Sequence, residues 1–167
     1  ICSNGSCVEP VVNPGGTCGN TLAVDTIPFV ATGTTAGSPD NFSYAPGACP
    51  GVLNGWGGGA PDHIYTFIPS VTGIYTIQLT PFFDGHLYLI KDCASAAEGC
   101  QIASEEVGIG MVERIDFELQ AGAPMYIIVD GASESENPAV NSGMYVLSVD
   151  DCGPLCETPP ETSLDVM

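Results

Sequence analysis

The chain has 167 residues, of which 44% are hydrophobic and 13% charged, which is enough for one domain with a buried core. Two basic residues face 20 acidic ones, giving a formal net charge of −18. Such a chain repels nucleic acid and anionic membrane surfaces, because it has no cluster of lysine or arginine. The charge leaves three explanations open: a cationic partner, a neutral partner such as a glycan, or solubility alone.

Eight cysteines predict a disulfide-bonded protein of an oxidising compartment. Zinc sites favour C-x-x-C pairs, whereas the close spacings here are C-x4-C, C-x6-C and C-x3-C, with only two histidines in the chain. The connectivity cannot be deduced from sequence, although the short, turn-like segment between Cys93 and Cys100 favours a bond between those two. The eight are Cys2, Cys7, Cys18, Cys49, Cys93, Cys100, Cys152 and Cys156.

The two ends of the chain differ in composition from its middle. Residues 1–17 contain two cysteines and many turn residues without periodicity, which predicts a spacer, and residues 153–167 have the Pro/Glu/Thr-rich composition of a linker. We therefore expect the folded unit at 18–152. The chain begins at Ile1 and shows no signal peptide or transmembrane run, so we expect a processed piece of an exported protein, secreted or at the cell surface, without membrane insertion.

Short segments with β-strand periodicity follow one another through this unit. Thr21–Ala31 is interrupted by Pro28, as at an edge or bulge, and residues 32–60 form a long Gly/Pro/Ser/Asn-rich excursion that Cys49 would anchor. Cys93–Glu106 is the one short segment that could be helical. The remaining predicted strands are His63–Ile68, Gly73–Leu79, His86–Ile90, Val112–Leu119, Pro124–Asp130 and Met144–Asp150.

These short strands with turns between them predict an all-β fold. An antiparallel β-sandwich, jelly-roll-like and stapled by disulfides, fits the period-2 pattern, in which one face of each strand is buried. Uniformly apolar residues after His86 indicate a strand that is buried on both sides. An up-and-down barrel is the alternative, although the long 32–60 excursion is less natural in it.

Five segments carry a family resemblance when they are taken in order. They are APDHIYTF (60–67), TGIYTIQL (72–79), FDGHLYL (83–89), LQAGAPMYIIVDG (119–131) and SGMYVLSV (142–149). The set resembles the bacterial pre-peptidase C-terminal (PPC) family over roughly residues 18–150. The resemblance implies a jelly-roll sandwich that is appended to secreted bacterial proteins as a non-catalytic module, with calcium, carbohydrate or matrix polymers bound by some members. The cysteine-rich ends depart from the family's pattern.

No motif in the sequence predicts catalysis. The chain has no G-x-S-x-G elbow, H-E-x-x-H helix, P-loop or dinucleotide fingerprint. His63 and His86 both lie at the start of predicted strands, where a structural role is the more frequent one. Paired carboxylates could hydrolyse glycosides, but a chance pair is expected among 20 acids. We therefore expect a protein that is not an enzyme.

Calcium is the one cofactor that the sequence suggests. It is bound by six to eight oxygen atoms, often from loops rich in Asp, Glu and Asn. The segment 130–141 offers Asp130, Glu134 and Glu136, and the segment 38–43 offers Asp40. The alternative in both loops is that Asp and Asn simply form Asx-turns.

Exposed aromatic rings would suit a glycan ligand. Trp56 lies among glycines that could present its ring, although the ring could equally plug the end of the sandwich, and Tyr44 in the same excursion is a second platform. The resulting prediction is an extracellular binding or adhesion module for a glycan or matrix polymer, with calcium as a candidate stabilising ion. The alternative is a structural subunit of a surface filament or layer, in which copies of the chain pair through exposed strand edges.

Overall fold

The computed structural model describes residues 2–3, 6–7, 14–52, 58–106, 108–132 and 141–152, which form eleven strands and one short helix. The elements are β1 (Cys2–Ser3), β2 (Ser6–Cys7), β3 (Leu22–Val24), β4 (Phe29–Thr34), β5 (His63–Phe67), β6 (Gly73–Pro81), β7 (Gly85–Ile90), α1 (Ala96–Gly99), β8 (Cys100–Ser104), β9 (Glu113–Leu119), β10 (Met125–Gly131) and β11 (Met144–Asp151). No described helix is long and apolar enough to cross a membrane.

Nine of the strands form two sheets. One sheet has the order β3-β5-β10-β7-β8, and the other has the order β4-β11-β6-β9. Neighbouring strands are antiparallel except β3 and β5, which run parallel. Residues from both sheets share one hydrophobic core. The predicted all-β sandwich is therefore confirmed.

The core between the sheets follows the predicted alternation. In β6, Tyr75, Ile77 and Leu79 are buried, while Thr76 and Gln78 are only partly buried on the opposite face. A fully buried Leu or Ile side chain contributes about 1.5–3 kcal/mol to the free energy of unfolding. The alternating pattern therefore dictates which face of each strand turns inward.

A second hydrophobic cluster covers the outer face of the five-stranded sheet. Phe42, Tyr44 and Val52 pack there against a surface that includes Tyr88 and Ile128. We call residues 39–60 the covering loop; the structure describes it at 39–52 and 58–60. Because this loop lies over β7, every residue of that strand is buried, as its sequence predicted.

Two disulfides connect distant parts of the chain. Cys49 of the covering loop is bonded to Cys100, with 5.4 Å between their Cα atoms, so the predicted anchoring of the excursion by Cys49 is confirmed. Cys18 is bonded to Cys93, with 5.8 Å between Cα atoms. The predicted Cys93–Cys100 bond is wrong, because these two residues flank α1 and each one secures a different remote segment.

The other described cysteines are Cys2, Cys7 and Cys152. Cys2 and Cys7 lie opposite each other in the register of β1 and β2. Cys152 is disulfide-bonded, and Cys156 lies outside the described residues. No cysteine in the described part of the chain is free.

Two further segments differ from their predictions. Thr21–Ala31 is not one interrupted strand, because β3 belongs to the five-stranded sheet and β4 to the other. Pro28 directly precedes β4, which is an edge strand as predicted. In Cys93–Glu106 the helix is only four residues long, and β8 follows it because Cys100–Ser104 pairs with β7.

The disulfide of the covering loop gives a stability prediction. We expect the double variant Cys49→Ser, Cys100→Ser to lose about 2–4 kcal/mol of unfolding free energy, since the bond spans a sequence separation of 51 residues. Urea unfolding followed by circular dichroism measures the loss. Amide hydrogen exchange at Val52, which donates to the Cys49 carbonyl within the loop, should accelerate selectively.

The matched control is Cys18→Ser, Cys93→Ser, whose bond spans 75 residues. We expect a comparable loss of global stability, with the protection of the Val52 amide reduced only as far as global stability falls. If hydrogen exchange at the Val52 amide accelerated equally in both double variants, this would contradict a specific role of the Cys49–Cys100 bond in holding the loop.

Candidate functional site

Three ionisable side chains form a row beneath the covering loop. Asp130 of β10 lies opposite His86 of β7 in the sheet register. On the other side of β10, Asp62 directly precedes His63, which lies opposite Val129. Asp62 and Asp130 have no solvent exposure, and His86 is also buried. Buried carboxyl groups of this kind need hydrogen-bond partners or a proton.

Each carboxyl group accepts backbone hydrogen bonds through one of its oxygens. Asp62 Oδ2 accepts the amide N–H groups of Asn41 and Phe42, the latter at 3.0 Å, which ties the start of the covering loop to the sheet. Asp130 Oδ1 accepts the amide N–H of Gly131 at 2.6 Å. The other two oxygens, Asp62 Oδ1 and Asp130 Oδ2, are buried and accept no hydrogen bond from a donor among the described residues. A proton on one of the two carboxyl groups would allow them to hydrogen-bond to each other.

The protonation of this pair is shifted strongly. Burial raises the pKa of Asp62 to about 7. Burial, and then the charge of Asp62, raise the pKa of Asp130 well above its ordinary value. Both effects disfavour a second negative charge in this space, so the pair keeps its last proton to a higher pH than two exposed aspartates would.

Neutral aromatic groups complete the buried cluster. Tyr44 of the covering loop packs on Tyr88, with 4.6 Å between ring centroids. The Tyr88 hydroxyl lies 3.5 Å from Nδ1 of His86. Burial lowers the pKa of His86 to about 4, which keeps its imidazole neutral. Because the Tyr44 ring is buried, it has no exposed face in this structure on which a sugar could stack.

His63 belongs to a separate buried network in the main core. Its Nδ1 atom lies 2.7 Å from the hydroxyl of Tyr145, which in turn lies 2.8 Å from the hydroxyl of Tyr65. Burial lowers the pKa of His63 and raises that of Tyr145. This chain of neutral groups joins β5 of one sheet to β11 of the other.

The residues suggested for calcium are only partly described. Asp130 is directed at Asp62, and Asp40 Oδ2 accepts the amide N–H of Gly59 at 2.8 Å within the covering loop. Glu134, Glu136 and also Trp56 lie outside the described residues. No group of three or more His, Cys, Asp or Glu side chains in the described ranges is placed to hold a metal ion. Calcium binding stays a prediction.

A cleft of about 480 Å³ opens at one end of the sandwich. The buried rings of Phe67 and Tyr75 meet edge to face in its lining, with 5.1 Å between centroids. The same lining contains three partly exposed aliphatic side chains, Ile68, Val71 and Ile74. Two exposed carboxylates complete it: Asp25 directly follows β3, and Asp151 ends β11. The two carboxylates therefore come from different sheets.

Hydrogen bonds hold the 68–72 wall of this cleft in place. The Tyr75 hydroxyl donates to the carbonyl of Val71 at 2.8 Å. The amide N–H of Ala121 donates to Thr72 Oγ1 at 2.9 Å, and that of Gly122 donates to the carbonyl of Pro69 at 2.8 Å. These hydrogen bonds fix the position of the wall, and a wall fixed in advance would limit the entropy lost if a ligand bound there.

Sequence reasoning missed both the buried acid pair and the cleft. Each assembles residues from segments that are far apart in the chain. The one available signal for the pair was that Asp62 directly precedes one predicted strand and Asp130 ends another, both within the family-like segments. For the cleft, the available signal was the exposed apolar residues in the turn between β5 and β6. Nothing in the sequence around that turn indicates that Asp25 and Asp151 lie close to it.

No protein-family model matches the chain, and no curated protein matches it. Among solved structures, it is similar to the pre-peptidase C-terminal domain of a collagenase from Bacillus anthracis (14% identity, TM-score 0.48, 78% of this chain and 94% of that chain covered). It is also similar to a periplasmic inhibitor of g-type lysozyme from Aeromonas hydrophila (13% identity, TM-score 0.47, with the same coverage). A domain of the PPC family, which the sequence resembles, is thus among the structures similar to this chain.

The acid pair predicts a pH dependence of stability. In the unfolded chain both aspartates titrate near pH 3.9, whereas burial raises the pKa of Asp62 to about 7 in the folded protein. Between these values the folded state binds more protons, so the free energy of unfolding falls as the pH rises. Glu113, whose pKa burial raises to about 6, contributes with the same sign, and the lowered pKa values of His63 and His86 contribute with the opposite sign.

The variant Asp130→Asn isolates the contribution of the pair. Its amide can accept from Gly131 and donate to Asp62, so no shared proton is needed. We expect its melting temperature to rise relative to the wild type as the pH is raised from 5 to 8, measured by circular dichroism. Glu98→Gln removes an exposed carboxylate as a control. Parallel pH profiles of Asp130→Asn and wild type would contradict the shared proton.

Proposed function

We propose that this chain is a non-catalytic binding module of a secreted or cell-surface protein, and that a segment of an extracellular polymer binds in the cleft lined by residues 24–27, 67–68, 70–75 and Asp151. The observation that carries the proposal is the preformed cleft at one end of the sandwich, whose lining combines aliphatic side chains with polar and acidic ones. Three features of the molecule support it.

The first is the disulfide framework. The bonds Cys18–Cys93 and Cys49–Cys100 each join segments that are remote in sequence. Stable structural disulfides form and persist in oxidising environments and are rare in the cytosol of most organisms. This chemistry supports a secreted or cell-surface location.

The second is the burial of the groups with shifted pKa values. A nucleophile or general base must reach the substrate directly or through one water molecule. Asp62, Asp130 and His86 are covered by the loop, and His63 lies in the main core. In their described positions these side chains are shielded from a substrate in solution, which supports a non-catalytic role.

The third is the character of the cleft. Its volume of about 480 Å³ falls within the range of about 300–1,000 Å³ that is typical of ligand sites. Apolar side chains with a few polar groups are also the usual lining of such sites. Val71 is 65% exposed and Ile68 is 56% exposed, so the apolar surface continues beyond the cleft. A chain-like ligand could cover both.

The binding site has a direct test with a matched control. In Val71→Arg a long cationic side chain would occupy the cleft, whereas Val30→Arg changes an equally apolar residue, 69% exposed, on β4. Chitohexaose, cellohexaose and a lysine-containing peptide are added separately to the ¹⁵N-labelled chain. We expect amide shifts within residues 67–75 for at least one probe, lost in Val71→Arg and retained in Val30→Arg.

Shifts outside the cleft, or no shifts there with any probe, would overturn the proposed site. Turnover of a probe that disappears in His63→Asn or His86→Asn would overturn the non-catalytic assignment.

Self-assembly is a second candidate, favoured by the edge strand β4. This strand has the uncharged sequence FVATGT, and no described strand pairs with its outer side. Such an edge can pair with another chain. If copies assemble through β4, light scattering should detect polymers that grow with concentration and are lost in Val30→Arg. A monomer at all concentrations would contradict this function.

A further inference from the structure

We infer that the cleft takes the side chain of a lysine or arginine that is presented on an extended segment of a partner protein. This inference rests on the proposed function, because it assigns a ligand class to the same cleft. It follows from the charges at the rim, the character of the walls and the charge of the whole chain.

The rim of the cleft carries negative charge, and no basic side chain among the described residues of its lining neutralises that charge. Asp25 and Asp151 are exposed and reach the cleft from the two different sheets. No lysine or arginine is among the described residues that line it. Of the two basic residues in the chain, Arg114 is paired with Asp116, and Lys91 follows β7. A cationic group between the two carboxylates would supply the missing positive charge.

The walls suit the aliphatic stem of such a side chain. Lysine and arginine bury their methylene groups along apolar surface while the charged end remains at polar groups. Here Ile68, Val71 and Ile74 provide the apolar surface, and the carboxylates lie in the same lining. A long aliphatic cation therefore matches both parts of the cleft.

A neutral glycan matches it less well. Sugars stack on exposed aromatic faces, but the aromatic rings of this cleft, Phe67 and Tyr75, are 3% and 5% exposed. These two buried rings support the walls of the cleft and present almost no surface to solvent. The cleft thus offers aliphatic contacts and negative charge in place of a stacking platform.

A protein segment is favoured over a free amine of similar shape. Ile68 and Val71 are each more than half exposed, so their apolar surface exceeds what a single small cation can cover. The net charge of −18 also attracts a basic macromolecule over long range and accelerates its encounter with the chain.

The test compares two peptides on the full chain by ¹⁵N shift titration. One is Gly-Gly-Leu-Lys-Leu-Gly-Gly, and the other contains norleucine in place of lysine, which retains most of the aliphatic stem without the charge. We expect the lysine peptide to shift the amides of residues 67–75 and to bind about tenfold more tightly than the norleucine peptide. The double variant Asp25→Asn, Asp151→Asn should lose about the same factor, as two partly solvated ion pairs would.

The control is Glu98→Gln, Glu118→Gln, which removes the same charge from exposed positions that do not line the cleft. This control variant should retain most of the wild-type affinity for the lysine peptide. An equal loss in both double variants would show unspecific attraction and overturn the inference, as would equal affinity for the two peptides. Displacement of the peptide by an equimolar amount of cadaverine would overturn the choice of a protein segment.

The inference and the proposed function fail in different ways. If chitohexaose or cellohexaose shifts residues 67–75 in a manner that depends on Val71 while the lysine peptide does not bind, the cleft is a binding site and only its ligand class is wrong. If no probe shifts residues 67–75, both fail.

Discussion

The covering loop lies on the outer face of the five-stranded sheet, and much of the structure depends on that contact. The face is apolar because Ile64, Tyr88 and Ile128 point outward from three adjacent strands, so it requires a cover. The loop contributes Tyr44 to the shared cluster, and the carboxylate of Asp62 accepts backbone N–H groups at the start of the loop. Pro50 accepts the N–H of Ala103 on edge strand β8, and the Cys49–Cys100 bond fastens the loop beside it.

This cover has an electrostatic consequence. It removes Asp62, Asp130 and His86 from solvent, and their pKa values shift toward the neutral forms because water no longer stabilises their charges. An otherwise strongly acidic chain therefore has a buried polar row with little charge. Asp62 and Asp130 accept backbone N–H groups, and Nδ1 of His86 lies beside the Tyr88 hydroxyl. Asp25 and Asp151, by contrast, are exposed at the end of the sandwich where the cleft opens.

Strands could be predicted from the sequence wherever the local pattern of residues alone determines the secondary structure. The alternation in 73–79 and 112–119 matches β6 and β9 closely, and the uniformly apolar run after His86 correctly indicated a strand covered on both sides. Prediction failed where the structure of a segment depends on a strand or a cysteine that is remote in the sequence. Cys100–Ser104 is a strand because β7 lies beside it, and the short spacing of Cys93 and Cys100 was a poor guide because their partners come from residues 18 and 49.

The sequence by itself determined the β-sandwich class, the presence of disulfide bonds and the strongly acidic charge of the chain. These properties depend on composition and on a two-residue period, which are local. Only the tertiary structure decided which cysteines pair, that Asp62 meets Asp130, and that Asp25 and Asp151 line one cleft. These pairs are separated by many residues along the chain, and their contact is set by how the two sheets and the covering loop pack, which no local pattern encodes.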